Sequence, residues 1–198
     1  MRILLIGASG TIGGGITKAL AGHELLTAGR TSGAHQVDIT NQESIAALFK
    51  AVGQVDAVVC AAGAAKFAPL DQLAFEDYRF SIHGKLMSQV NLTRLALPHV
   101  ADGGSITLTS GILARQPMPG GAAISMVNAG LEGFVGAAAL ELPRGIRINV
   151  VSPGWVSETL AAMKMDPSRG APAAAVGKAY QKAVTGSMNG QVITAVGG

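Results

Sequence analysis

A chain of 198 residues with 48% hydrophobic side chains has the length of one domain and enough apolar mass for one core of ordinary size. Its formal net charge of +3 comes from scattered single Lys and Arg residues, with no run or stripe to follow a phosphate backbone, which argues against a nucleic-acid partner. The single cysteine, Cys60, excludes an intrachain disulfide framework and a multi-thiol metal site.

Residues 1–8 are apolar but break into glycines too early for a secretory segment, so they read as a strand over Arg2–Ile6, followed by a tight turn and a helix around Ile16 and Leu20. A short run over 24–28 stops at Gly29. A further extended segment over 34–38 precedes Thr40, where the T-x-x-E pattern ending at Glu43 predicts a helix cap. Val55–Cys60 and residues 105–109 are apolar runs of strand length, suited to a buried parallel sheet. Between them, residues 75–97 have helical periodicity and stop at Pro98, and a second helix is expected from Ser110 to Leu142, stopping at Pro143. Runs over 146–151 and 191–196 complete the alternation. The expected fold class is α/β, with about seven parallel strands doubly wound by helices in a single domain, residues 1–198. The stretch 120–142 carries Asn128 and Glu132 within it, as a buried amphipathic helix does and a membrane span rarely does. A soluble, cytoplasmic protein is expected. Residues 157–175, rich in Ala, Pro and Met, lie beyond a strand's C-terminal end and read as a substrate lid.

Three glycines, Gly7, Gly10 and Gly13, sit between the first strand and the first helix, in the run G-A-S-G-T-I-G that includes Ser9, Thr11 and Ile12. Without Cβ atoms such a turn lets backbone N–H groups reach a pyrophosphate at the positive end of the helix dipole, although the spacing alone also suits a plain tight turn. At the end of the second strand stand Arg30, Thr31 and Ser32. A guanidinium flanked by hydroxyls, with no carboxylate beside it, suits the 2′-phosphate of NADP(H), and the alternative is a solvated loop arginine. Asp38 reads equally as a partner for an adenine amino group, with Ile39 against the ring, or as a loop cap. Ala61, Ala62 and Gly63 follow the fourth strand and leave room for close approach of a cofactor.

With those pieces the sequence resembles the short-chain dehydrogenase/reductase family over nearly its whole length, which implies a Rossmann fold. Residues 106–111, I-T-L-T-S-G, look like the strand ending in the family's catalytic serine, here Ser110. Residues 147–156, R-I-N-V-V-S-P-G-W-V, match the segment over the nicotinamide, so the resemblance extends the cofactor site to Pro153, Gly154, Val156 and Thr159. Residues 190–193 with Gly197 and Gly198 resemble the last strand and its terminal glycines. The family's usual site contains Asn, Ser and Tyr-x-x-x-Lys. Aligning N-A-G-L-E-G-F at 128–134 with the family's K-A-A-L-E-G-F puts Asn128 at the lysine position and Ile124 at the tyrosine position, while counting thirteen residues back from Pro98 puts Lys85 where the family has Asn. Amine and amide thus exchange places. Lys85 becomes the candidate proton donor, with a snorkelling interface lysine as the alternative, and Ser110 the candidate hydrogen-bond donor to a substrate carbonyl. His83 and Tyr78 are expected to point elsewhere, and Tyr180 to pack.

Two functions follow as expectations. One is an NADP(H)-dependent oxidoreductase acting on a small carbonyl or alcohol substrate with a rebuilt acid–base site. The other is a non-catalytic NADP(H)-binding regulatory or redox-sensing protein. The helices of 75–97 and 122–142 are expected to pair across a two-fold in a homodimer or homotetramer.

Overall fold

The computed structural model of the chain describes residues 1–196, so the terminal Gly197 and Gly198 lie outside the described residues. Seven strands form one sheet in the order β3-β2-β1-β4-β5-β6-β7, every neighbouring pair parallel. They are β1 (Arg2–Ile6), β2 (Glu24–Gly29), β3 (His35–Gln36), β4 (Val55–Cys60), β5 (Val100–Thr109), β6 (Arg147–Pro153) and β7 (Val192–Ala195). The helices are α1 (Thr11–Ala19), α2 (Gln42–Val52), α3 (Phe75–Ser81), α4 (Ser88–Ala96), α5 (Ala122–Ala138), α6 (Ser157–Ala162) and α7 (Ala173–Thr185). This is the doubly wound Rossmann arrangement, with the order reversing between β1 and β4.

Period-two alternation along β1 explains how both faces are covered. Leu4 and Ile6 join a core with Ile45, Phe49, Leu92 and Leu131 from α2, α4 and α5, while Ile3 and Leu5 join Ile16, Val176 and Tyr180 from α1 and α7. The second layer is unusually close. A Cβ on Gly15 would fall 2.0 Å from the Ala173 carbonyl oxygen, and one on Gly177 would fall 2.2 Å from that of Gly15, so α1 and α7 touch backbone to backbone.

Several local expectations change. Thr40 is not the cap of α2. Asn41 is, with its Oδ1 accepting from the N–H groups of Glu43 (2.8 Å) and Ser44 (3.0 Å), because it is the extended residue immediately before the helix. The helix expected from Ser110 begins only at Ala122, since Gly111, Pro117, Pro119, Gly120 and Gly121 break it into a loop with a 3-10 turn at Ile112–Ala114. The long helix of 75–97 is also interrupted: Ile82–Met87 is π-helical between α3 and α4. Strand β5 starts earlier than expected, tolerating Gly103 and Gly104 through a register shift against β4 between Val55 and Ala57.

Candidate active site

At the reversal point, the C-terminal ends of β1 and β4 lie side by side. Gly7 has φ of +88°, and a Cβ there would stand 2.9 Å from the carbonyl carbon of Ala61, so only glycine fits both the turn and the approach. Gly10 is the N-cap of α1, and neither a capping side chain nor an acidic residue occupies the first turn, which leaves its N–H groups to face a ligand. Gly13 is buried beneath this turn, where a Cβ would meet the Gly7 oxygen at 2.0 Å.

Gly7, Ser9, Arg30, Thr31, Ser32, Asp38, Ile39, Ala62 and Gly63 surround one cavity of about 600 Å³. Ser32 Oγ donates to Ser9 Oγ at 2.8 Å, tying the loop after β2 to the glycine turn. Among the described residues the exposed Arg30 guanidinium has no hydrogen-bonded protein partner within this cavity. Asp38 caps its own loop. Its Oδ1 accepts from Thr40 N–H (2.9 Å) and Thr40 Oγ (2.7 Å), which holds the carboxyl below its ordinary pKa, while the residue still lines the cavity. Gly10 and Thr11 border a neighbouring hollow with Lys18 and Glu158 instead.

A second cavity, of about 310 Å³, shares Ala62 and Gly63 with the first and takes in Ile12, Ala61, Lys85, Ser110, Ile124, Asn128, Pro153 and Gly154. The structure therefore brings Lys85 and Asn128 from facing helices to one place. The π-helical turn carries Lys85, and its stem lies so close to the loop after β4 that a Cβ on Gly63 would meet Lys85 Cγ at 3.1 Å. Its Nζ donates to the carbonyl oxygen of Ser110 at 3.0 Å, and no carboxylate pairs with it among the described residues. Burial lowers its pKa from 10.5 to about 8. Asn128 lines the cavity and is 1% exposed, and its Oδ1 is buried with no protein partner among the described residues.

Ser110 departs from expectation. Its hydroxyl donates to Glu132 Oε1 at 3.0 Å rather than standing free for a substrate, and Glu132 Oε2 accepts from Arg115 Nε at 3.0 Å. Glu132 thereby fastens the 111–121 loop to α5. Nothing in the spacing of Ser110 and Glu132 announces this pair. Gln89 is also new: wholly buried, it exchanges two hydrogen bonds with the Thr109 backbone (Nε2 to O, 3.0 Å; N to Oε1, 2.8 Å), pinning the end of β5 to α4. Beneath it, Thr109 Oγ donates to the Cys60 carbonyl at 2.6 Å, so the Tyr180 hydroxyl, 2.6 Å away, must donate to Thr109. Tyr180 is fully buried with its pKa pushed up, and Cys60 is raised to about 11 by burial, so neither ionises near neutrality.

One expected segment and two expected residues do not line these cavities. None of residues 157–175 lines the 310 Å³ cavity, because Ser157 Oγ bonds the Gly170 oxygen (2.8 Å) and the Glu158 carboxylate accepts from Ala173 N–H (2.9 Å), folding the segment back on α7. The outer walls come from Phe67, Ile112, Leu113 and Trp155. These follow the ends of β4, β5 and β6, a position the strand order could have flagged. Val156 is 5% exposed and packs in the α1–α7 core, and Thr159 on α6 borders neither cavity. His83 lies in a separate exposed groove with Phe80 and Met87, away from Lys85.

A family profile described as enoyl-(acyl carrier protein) reductase matches residues 15–193. The protein lin1944 from Listeria innocua is 42% identical with a TM-score of 0.93 over 98% of both chains. A structure described as a small-chain dehydrogenase is 27% identical, with a TM-score of 0.86 over 100% of this chain and 97% of that one. The chain belongs to the short-chain dehydrogenase/reductase family. Among curated relatives, the hydroxynaphthalene reductase arp2 of Aspergillus fumigatus is 31% identical over 67% of this chain, which spans only 50% of that protein's length. The family uses nicotinamide cofactors, and the curated relatives that the chain resembles are named as reductases and oxidoreductases. Among its described residues no helix is long and apolar enough to cross a membrane, and no cluster of His, Cys, Asp or Glu is arranged to hold a metal.

Proposed function

We propose that this protein exchanges hydride between NADP(H) and a carbonyl or alcohol substrate, with Lys85 in place of the family's tyrosine as proton donor. The observation that carries the reading is the meeting of Lys85, an amine without an acidic partner among the described residues, and Asn128, a buried amide, at one mainly apolar cavity. The residues fit the dinucleotide. The uncapped first turn of α1, Ser9, Ser32 and Arg30 would hold its phosphates, Arg30 favouring the 2′-phosphate; Asp38 and Ile39 would take the adenine, and the Asn128 amide would border the nicotinamide end.

When bound, the reduced nicotinamide supplies the hydride. Lys85 in its ammonium form gives a proton to the substrate oxygen as that oxygen gains electron density, and a pKa of about 8 suits the transfer near neutrality. Ser110 serves through its carbonyl, which orients the Lys85 amine, rather than through its hydroxyl. The apolar walls keep water from competing. A cytoplasmic setting and a homodimer or homotetramer through α4 and α5 belong to the same reading.

The test is NADPH oxidation across a panel of aldehydes and ketones, with the native protein, Lys85→Met and Ser110→Ala. The expected pattern is turnover in the native protein, its loss in Lys85→Met and its substantial retention in Ser110→Ala. A second reading, an NADP(H)-binding sensor without chemistry, is favoured by the commitment of the Ser110 hydroxyl to Glu132. NADPH quenching of Trp155 with no turnover of any carbonyl would select it.

A further inference from the structure

We propose that Lys85 is also a nucleophile, whose amine condenses with an aldehyde or unhindered ketone bearing an apolar substituent to form an iminium in the cavity without any dinucleotide. The inference rests on the reading above only in taking the cavity as the place where carbonyl compounds enter.

The surroundings of the nitrogen carry the argument. Among the described residues Lys85 Nζ has one hydrogen-bond partner, the Ser110 carbonyl oxygen at 3.0 Å, and that neutral acceptor orients the amine without stabilising its charged form as a carboxylate would. Glu132, the acidic residue nearest in the network, is occupied on both oxygens by Ser110 and Arg115. The facing wall is apolar, from Phe67, Ile112, Leu113 and Ile124, and suits a hydrocarbon substituent while disfavouring the ammonium. A pKa of about 8 leaves an appreciable share of free amine at pH 7.5. Lys66, by comparison, has Asp77 Oδ1 at 3.6 Å.

The step balances without a redox partner. The nitrogen lone pair forms a bond to the carbonyl carbon, the C=O π pair moves to oxygen, and a proton passes from nitrogen to oxygen to give a carbinolamine. The Asn128 amide lines the same cavity, beside that new hydroxyl. A second proton then reaches the hydroxyl, the C–O bond breaks and water leaves, so ammonium plus carbonyl gives iminium plus water.

The experiment treats the full chain with hexanal and sodium cyanoborohydride at pH 7.5, without NADPH, and maps alkylated lysines by peptide mass spectrometry. Lowering a lysine pKa from 10.5 to about 8 raises its free-amine fraction on the order of 100-fold at this pH, so Lys85 should be labelled at least tenfold faster than the exposed Lys18 and Lys164. Raising the pH towards 10 should erase that preference. Lys85→Arg, which keeps the charge, should lose the fast adduct while remaining folded by circular dichroism. Labelling spread evenly over the lysines, or confined to exposed ones, would overturn the proposal. A failure of NADPH to quench Trp155 would instead overturn the dinucleotide reading and leave the adduct result standing.

Discussion

The two halves of the cleft are built on opposite principles. The half around Gly7, Ser9 and Arg30 is the larger, carries the charged side chains Arg30 and Asp38 with the hydroxyls of Ser9, Thr31 and Ser32, and is made largely of loop residues that follow β1, β2 and β3. The half around Lys85 and Asn128 is smaller, with a single charged side chain that two facing helices and the loops after β4, β5 and β6 enclose. Binding groups that recognise charge can stand in water, where each gives a modest, nearly independent contribution. Groups that move protons need a partly dry site, where every polar contact is stronger and the loss of one is felt by the rest. Mutations in the two halves should therefore differ in what they change.

The largest effect is expected from Lys85→Met on turnover. Removing a general acid costs about 10²–10⁴-fold in kcat, and NADPH affinity measured by Trp155 quenching should move little. A matched loss of affinity would merge the two halves into one. The same substitution should make the protein more stable near neutrality. Lys85 titrates at about 8 in the folded chain and at 10.5 unfolded, so folding binds fewer protons between those values and native stability rises with pH across that window. The burial penalty is therefore full below about pH 8 and relieved by about pH 10.5. Urea unfolding should find Lys85→Met ahead by about 3 kcal/mol at pH 7, with the margin closing towards pH 10.5. A margin independent of pH would mean that the amine is not desolvated.

In the polar half, Arg30→Ala should weaken NADPH by about 1.5–3 kcal/mol, the range for a charge-assisted hydrogen bond, and leave NADH nearly unchanged. Equal losses would remove the 2′-phosphate assignment. The smallest effect is expected from Glu132→Gln, which weakens the link between Ser110 and Arg115 by about 1 kcal/mol. Because that link positions the 111–121 loop and its Ile112 and Leu113 walls, KM should rise a few-fold with kcat nearly constant.

The same contrast explains which features could be read in advance. Gly7, Gly10 and Gly13 encode a local conformation next to a strand, and the strands themselves are short apolar runs, so both are written in adjacent residues. Lys85 emerged only from its distance to Pro98 and the family resemblance. That it enters the cavity from a π-helical turn depends on how α3, α4 and the loop after β4 pack together, information spread over distant segments. The direction of the Ser110 hydroxyl was illegible for the same reason: Glu132 lies twenty-two residues on and competes with any substrate for that proton. Residues 157–175 lie away from the smaller cavity because Glu158 and Ser157 bond within their own segment, which composition cannot reveal.

The π-helical turn at Ile82–Met87 has a consequence for the history of this site. Such a turn accommodates one residue more than an α-turn, so a single-residue insertion or deletion within it swings neighbouring side chains by about 100° about the helix axis, while α3 and α4 can each keep their buried faces. Chemistry at position 85 can thus be exchanged by a small length change in one turn, without rebuilding the core, a cheaper route to a new reaction than replacing the glycine turn that Gly7 fixes against Ala61.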